Sequence, residues 1–427
     1  MNILQAKNEI KNTVQAYLSK NSFGEYEIEA KNQRPLLLIG PPGIGKTQIM
    51  EQIAKECQIG LVSYTITHHT RQSAVGLPFI QEKEFQGKTY SITEYTMSEI
   101  IASVYSKMED TGLKEGILFI DEINCVSETL APTMLQFLQN KTFGNQKVPC
   151  GWIIVAAGNP SEYNKSVRDF DVVTMDRIRY IHVETDYYVW KEYAISKHIH
   201  PMILSYLELK PNHFYTVSTS VDGMEFVTAR GWEDLSQLIQ VYESLGKKAD
   251  RDVVGQYLQH PKIAKDFANY LELYYKYKKD YGVEDILDGR WDDVTVQKIK
   301  AAPFDEHLSI VSLLNGKLSS MFTECFRMDS YVSKLYEYLI CYRDSQNTMM
   351  LEDVLRIAEK DLEEQKRAEQ ITREEEKILL RVIETLGKFS TELKGELFIG
   401  DAAFDEVRAM FNRETDALDS LLSQTST

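Results

Sequence analysis

Positive charge is what this 427-residue chain lacks first: 48 lysines and arginines stand against 64 aspartates and glutamates, for a formal net charge of −16. That balance argues against long-range attraction to nucleic acid or an anionic membrane surface, while leaving room for a local basic patch. Cysteine is scarce and scattered. The five (Cys57, Cys125, Cys150, Cys325 and Cys341) form no C-x-x-C pair, so they read as reduced intracellular thiols rather than a disulfide frame or a zinc site. No apolar run approaches the roughly 18 residues that a membrane span needs. The opening MNILQAKNEIKNTVQAYL has lysines and asparagines interrupting its apolar residues, unlike a secretory signal. A soluble, cytoplasmic protein is expected. What is present is enough apolar material, 43% of residues, to build a well-buried core, in a chain long enough for about two to four domains.

Ile3, Ile10, Val14 and Tyr17 fall at helical spacing and predict an amphipathic N-terminal helix within residues 1–30. From 31 to 190 short apolar runs (PLLLIG, IGLVSYTI, GILFID, GWIIVAAG, RYIHVE) alternate with longer segments of helical period. Runs apolar on both faces describe a parallel sheet of five strands covered by helices, an α/β core. Beyond 190 the strands mostly stop, and residues 191–300 read as a helical region punctuated by Pro201, Pro211 and Pro261. The tyrosine-rich face of 263–281 reads as core rather than a base-stacking platform, because no Gly/Arg pattern accompanies it. Residues 301–427 form a helical C-terminal extension. In it DLEEQKRAEQITREEEK (361–377) reads as one solvated helix or a bridge between two helical pieces, and LSQTST as a frayed tail.

The chemistry sits at LLLIGPPGIGKTQIM (36–50), where a buried strand runs into a glycine-rich turn and then a helix. Gly40, Gly45, Lys46 and Thr47 fit G-x-x-x-x-G-K-[ST], a loop whose bare backbone N–H groups cradle phosphates. The turn Gly40, Pro41, Pro42, Gly43, Ile44, Gly45 and the helix start Lys46, Thr47, Gln48 are therefore the candidate nucleotide contacts. Lys46 would reach the terminal phosphates, Thr47 would hold Mg²⁺, and the helix would aim its positive end at the same guest. GILFIDEIN (116–124) ends an apolar strand in two carboxylates. Asp121 is the second candidate for Mg²⁺, and Glu122 the group that orients and deprotonates the attacking water. WIIVAAGNP (152–160) ends in Asn159, an amide able to hold that water or a γ-phosphate oxygen, or simply an Asn-Pro turn.

In this order GPPGIGKT, LFIDEIN and AAGNP resemble the AAA+ ATPases, and DEINCVSETLAPTMLQFLQNKTFG with VTARGWEDLSQLI is similar to the MoxR-type branch over about residues 30–290. The resemblance implies an AAA+ P-loop core with a helical lid, hydrolysing ATP with Mg²⁺ in a homo-hexameric ring. It makes Asn159 the sensor-1 position and Arg230 the lid arginine that contacts the γ-phosphate in its own subunit. In MDRIRY (175–180) it makes Arg177 the arginine supplied to a neighbouring subunit, with Arg179 the runner-up; Arg168, outside that phrase, is a further candidate that reads rather as a surface or interface residue. It implies remodelling of an unidentified protein substrate, with a von Willebrand A domain protein as partner. The branch's substrate-facing insert falls at 67–95, where FIQEKEFQGKTYSI predicts a hairpin about Gln86-Gly87 pointing into a ring pore. His68-His69 read as solvated or packed rather than metal-binding, since adjacent strand residues face opposite sides. A restriction-type NTPase or nucleic-acid motor is the alternative reading, and the acidic balance weighs against it. A scaffold that binds nucleotide without turnover is disfavoured by Glu122, a base such a protein would not need.

Overall fold

The computed structural model describes residues 1–392, except 69, 144–145, 164–166, 168–169, 221–222, 288, 346–348 and 369–370, together with 409, 411–413 and 415–416. His69, Arg168 and the LSQTST tail lie outside the described residues. The chain divides into two compact units. The first comprises 1–190 with 228–230, and the second 191–227 with 231–427.

In the first unit the five predicted apolar runs form one parallel sheet. Its strands are β1 (Leu36–Ile39), β2 (Gly60–Thr65), β3 (Gly116–Asp121), β4 (Trp152–Gly158) and β5 (Arg179–His182), in the order β2-β3-β4-β1-β5. Side-chain alternation explains why such runs lack polar residues. Leu36 and Leu38 face helices α1 (Ile3–Leu18) and α2 (Lys46–Cys57), packing with Ile10, Val14, Met50 and Ile53. Leu37 and Ile39 point to the other side, where α3 (Glu99–Thr111) and α4 (Ala131–Asn140) contribute Ile101, Val104 and Phe137. With both faces covered, every position in β1 and β4 is buried. The register sets Ile39 opposite Gly158 and Thr65 opposite Asp121. Three chain exits, after β1, β3 and β4, thus lie side by side at the carboxyl edge of the sheet, where open α/β sheets take ligands.

The predicted hairpin is present, with strands Pro78–Phe85 and Lys88–Tyr95 paired antiparallel. Gln86 and Gly87 both have positive φ, 53° and 75°, which gives the two-residue turn the twist that hairpin strands require. Its first strand is exposed on both faces.

The second unit is mainly helical. Trp232, Tyr206 and Phe267 are buried together, and the Trp232 indole donates to the Phe214 carbonyl at 3.1 Å. The tyrosine face of helix Pro261–Asp280 belongs to this core: Tyr274 is buried, and the Tyr270 hydroxyl pairs with Ser205 at 2.7 Å. Helix Phe304–Asp344 packs on helix Pro201–Leu209, so closely that a Cβ at Gly316 would lie 2.5 Å from Pro201. It then joins helices Leu351–Arg367 and Arg373–Glu392 around Leu335, Val354, Val382 and Leu386.

One local expectation is corrected, and one that the sequence left open is decided. A two-stranded antiparallel ribbon, Thr216–Ser220 with Gly223–Val227, interrupts the helical region; its Thr/Val/Ser run carries too little apolar alternation to stand out. The charged stretch 361–377 is not one helix. It breaks after Arg367 and restarts at Arg373, where Thr372 and Glu375 cap each other through 2.7 Å and 3.3 Å backbone–side-chain bonds. The Lys366–Glu376 ion pair, at 2.7 Å, crosses the break.

Candidate nucleotide site

The turn between β1 and α2 is held open by backbone geometry. Gly43 and Gly45 have φ of 73° and 94°, in the left-handed region that a side chain penalises. A Cβ at Gly43 would also lie 3.2 Å from Thr228. Gly45 caps α2 with no side-chain hydrogen bond, leaving the first N–H groups of the helix to face a guest.

Lys46 is buried, an unusual position for a lysine, and its Nζ donates to three oxygens. These are Gly40 O at 2.7 Å, Pro41 O at 2.9 Å and Asn159 Oδ1 at 2.8 Å. Burial pushes its ammonium down to a pKa of about 8, with the neighbouring Arg230 cation pushing the same way and the Asp121 and Glu122 carboxylates opposing. A cation desolvated at the mouth of a bare-backbone turn fits a phosphate chain, which would supply the counter-charge.

Across from it, at the end of β3, Thr47 Oγ1 donates to Asp121 Oδ2 at 3.2 Å. A hydroxyl and a carboxylate are hard oxygen donors of the kind Mg²⁺ takes, so this pair fits the ion that the loop implies. Asp121 also accepts the Glu122 backbone N–H at 2.9 Å. Glu122 itself adopts φ 58°, ψ 33°, a strained backbone for a non-glycine residue and one that recurs at active sites. Its carboxylate takes the Thr67 hydroxyl at 3.0 Å.

Asn159 follows β4 and presents its Oδ1 to Lys46, which leaves Nδ2 as the group able to donate to a phosphate oxygen or water. Its backbone carbonyl accepts Asn124 Nδ2 at 2.7 Å. Arg230 and Thr228 belong to the first unit and lie against the turn: a Cβ at Gly43 would be 3.5 Å from Arg230 Cβ.

The two arginines of MDRIRY part company. Arg179 is tied within its own chain, donating to Thr13 Oγ1 at 2.8 Å and pairing with Glu9 on α1. Arg177 bonds to Gln139 at the end of α4 and is exposed, in a neighbourhood that includes the outward-facing Val172 and Val173, 84% and 58% exposed.

The structure thus gathers the loop residues 40–48, Asp121, Glu122, Asn159 and Arg230 at one edge of the sheet, while Arg177 takes no part in that hydrogen-bonded cluster. Sequence reading missed Thr67, Thr228 and Asn124. Asn124 stood inside the DEIN phrase, and its amide type was the signal.

No curated protein matches the sequence. Among solved structures, a point mutant of RuvB from Thermotoga maritima aligns with 14% identity over 64% of this chain and 71% of its own, at a TM-score of 0.35. A family model does match: that of the ATPase family associated with various cellular activities (AAA), over residues 36–178. That span runs from the first residue of β1 to the threshold of β5 and holds the phosphate loop, the acidic pair and Asn159, so the first unit of this chain contains an AAA domain with the AAA+ P-loop fold.

Proposed function

We propose that this protein is a cytoplasmic AAA+ ATPase of the MoxR type, which hydrolyses ATP in a homo-hexameric ring and remodels a protein substrate together with a von Willebrand A domain partner. The observation that carries the reading is the convergence of Lys46, Thr47, Asp121, Glu122 and Asn159 at one sheet edge. The loop N–H groups and Lys46 bind the triphosphate of the substrate. Thr47 and Asp121 would hold Mg²⁺, which when bound would supply positive charge toward the phosphate oxygens. Glu122 accepts the proton of the attacking water, and Asn159 Nδ2 holds that water or the γ-phosphate in line. Arg230 reaches the γ-phosphate within its own subunit.

Arg177 acts on the next subunit's site. Its exposure, and the two outward-facing valines in its neighbourhood, support a seam between copies at this place. A cation arriving at the γ-phosphate from outside is worth about 10³–10⁵ in rate in other phosphoryl-transfer enzymes. The hairpin at 78–95 faces the substrate. The partner class rests on the MoxR resemblance of DEIN and TARGWEDL.

Mixed assembly tests the scheme. Glu122→Gln should retain ATP binding and lose about 10²–10⁴-fold in hydrolysis, the usual worth of a general base. Arg177→Ala should be nearly inactive alone, yet mixing the two variants should restore phosphate release, because some seams then join an intact Glu122 to an intact Arg177. If no mixing ratio restores activity, Arg177 does not work across a seam. Stimulation by DNA or RNA, or a preference for GTP, would instead place the protein with restriction-type or nucleic-acid-dependent NTPases.

A further inference from the structure

Asn124 is a polar residue 5% exposed, set in the short turn Ile123–Cys125 that follows the acidic pair. A buried amide is costly unless its hydrogen bonds are met. Here its Nδ2 donates to the backbone carbonyl of Asn159 at 2.7 Å, across 35 residues of sequence. The room for it comes from Gly158. A Cβ at that position would lie 2.3 Å from Asn124 Oδ1 and 2.6 Å from its Cγ, so the amide fills space that any other residue at 158 would occupy.

The bond falls at a telling point. β4 ends at Gly158, so the Asn159 carbonyl lies beyond the last residue of the ladder. The next residue, Pro160, offers no N–H and disfavours helical backbone at 159. Asn124 therefore fixes the peptide plane between Asn159 and Pro160, which sets the direction in which the Asn159 side chain leaves the backbone. That side chain in turn receives Lys46 Nζ at 2.8 Å. A continuous path results, from the end of β3 through the end of β4 to the start of α2.

We infer that Asn124 is a positioning residue: through the Asn159 carbonyl it aims the Asn159 amide at the reacting γ-phosphate and its water, while making no contact with either. The inference rests on the ATP-hydrolysing reading above. Its signature is a loss in kcat with little change in KM, because ATP binding is carried by the loop N–H groups and by Lys46, which keeps Gly40 O and Pro41 O as acceptors.

Phosphate release at saturating and limiting ATP measures both constants, with urea denaturation run alongside. Asn124→Ala should lower kcat about tenfold, the scale of one lost buried hydrogen bond, and leave KM within about twofold. In an Asn159→Ala background, where no amide remains to aim, adding Asn124→Ala should cost less than about twofold more. Asn124→Leu keeps close to the side chain's size without the donor or a buried charge and should show the same kcat loss, which serves if the alanine variant does not fold. Unchanged turnover in Asn124→Ala, or losses that multiply in the double variant, would overturn the inference while Lys46→Ala and Asn159→Ala still test the ATPase reading. A wild-type protein that never cleaves ATP would overturn both.

Discussion

The titration of Lys46 offers a sharp test of the site. Its ammonium is held at about 8 in the folded protein against 10.5 in a free lysine, because burial strips its water and Arg230 adds a like charge. At that value roughly 90% of the lysines are charged at pH 7 and roughly 10% at pH 9. A triphosphate beside the ammonium favours the charged form, so the complex keeps its proton where the free protein has lost it. Nucleotide affinity should therefore fall about tenfold between pH 7 and pH 9, measured with a fluorescent ATP analogue in EDTA so that metal binding does not contribute. Lys46→Ala should bind weakly, with no inflection near pH 8. Arg230→Ala removes the cation that depresses the lysine and should move the inflection upward; Asp121→Asn removes the anion that supports it and should move it downward. The linked effect on stability has a definite sign. Between pH 8 and 10.5 the unfolded chain binds the proton that the folded one has released, so this group's contribution makes folding more favourable as pH rises through that window. The cost of burying the charge, on the order of 3 kcal/mol, is fully present below pH 8. An affinity that stays flat from pH 7 to 9.5 in folded wild-type protein would refute the buried-cation account.

Magnesium dependence should separate the oxygen donors from the phosphate cradle. EDTA should abolish hydrolysis while leaving measurable nucleotide binding. Thr47→Ala and Asp121→Asn should each need about tenfold more Mg²⁺ for half-maximal turnover, and a wild-type Mg²⁺ response in both would remove them from the ion's coordination. Arg179→Ala provides the contrast to Arg177. Its exposed pairing with Glu9 and Thr13 on α1 predicts a loss of only about 0.2–1 kcal/mol in urea unfolding. Any fall in its turnover should not be repaired by mixing with Glu122→Gln, and repair by mixing would show that Arg179 crosses the seam.

Much of the first unit was readable because its information is local. Leu36–Ile39 and Trp152–Gly158 are apolar on both faces, as a covered parallel strand requires, and the turn 40–47 announces itself by its glycines and the Lys-Thr pair. Gln86-Gly87 marked its hairpin for the same reason: positive φ at two successive residues is a demand that few residue types meet. The ribbon of Thr216–Ser220 and Gly223–Val227 escaped because TVSTS is nearly all polar and GMEFV is too short for its alternation to stand out. For the charged stretch 361–377 one helix or two stayed open, because charged residues suit a helix and a turn equally well.

The sequence by itself singled out the candidate site residues, since a phosphate loop and an acidic pair at a strand end are patterns written within a few positions. Tertiary structure alone decided how they engage. Asn159 accepts from Lys46, 113 residues away; Glu122 accepts from Thr67, 55 away; and Glu9 pairs with Arg179, 170 away. Each of those side chains had several partners open to it in the linear chain. The choice fell to whichever group the strand register and the packing of helices on the sheet brought within hydrogen-bonding distance, and no short-range pattern encodes either.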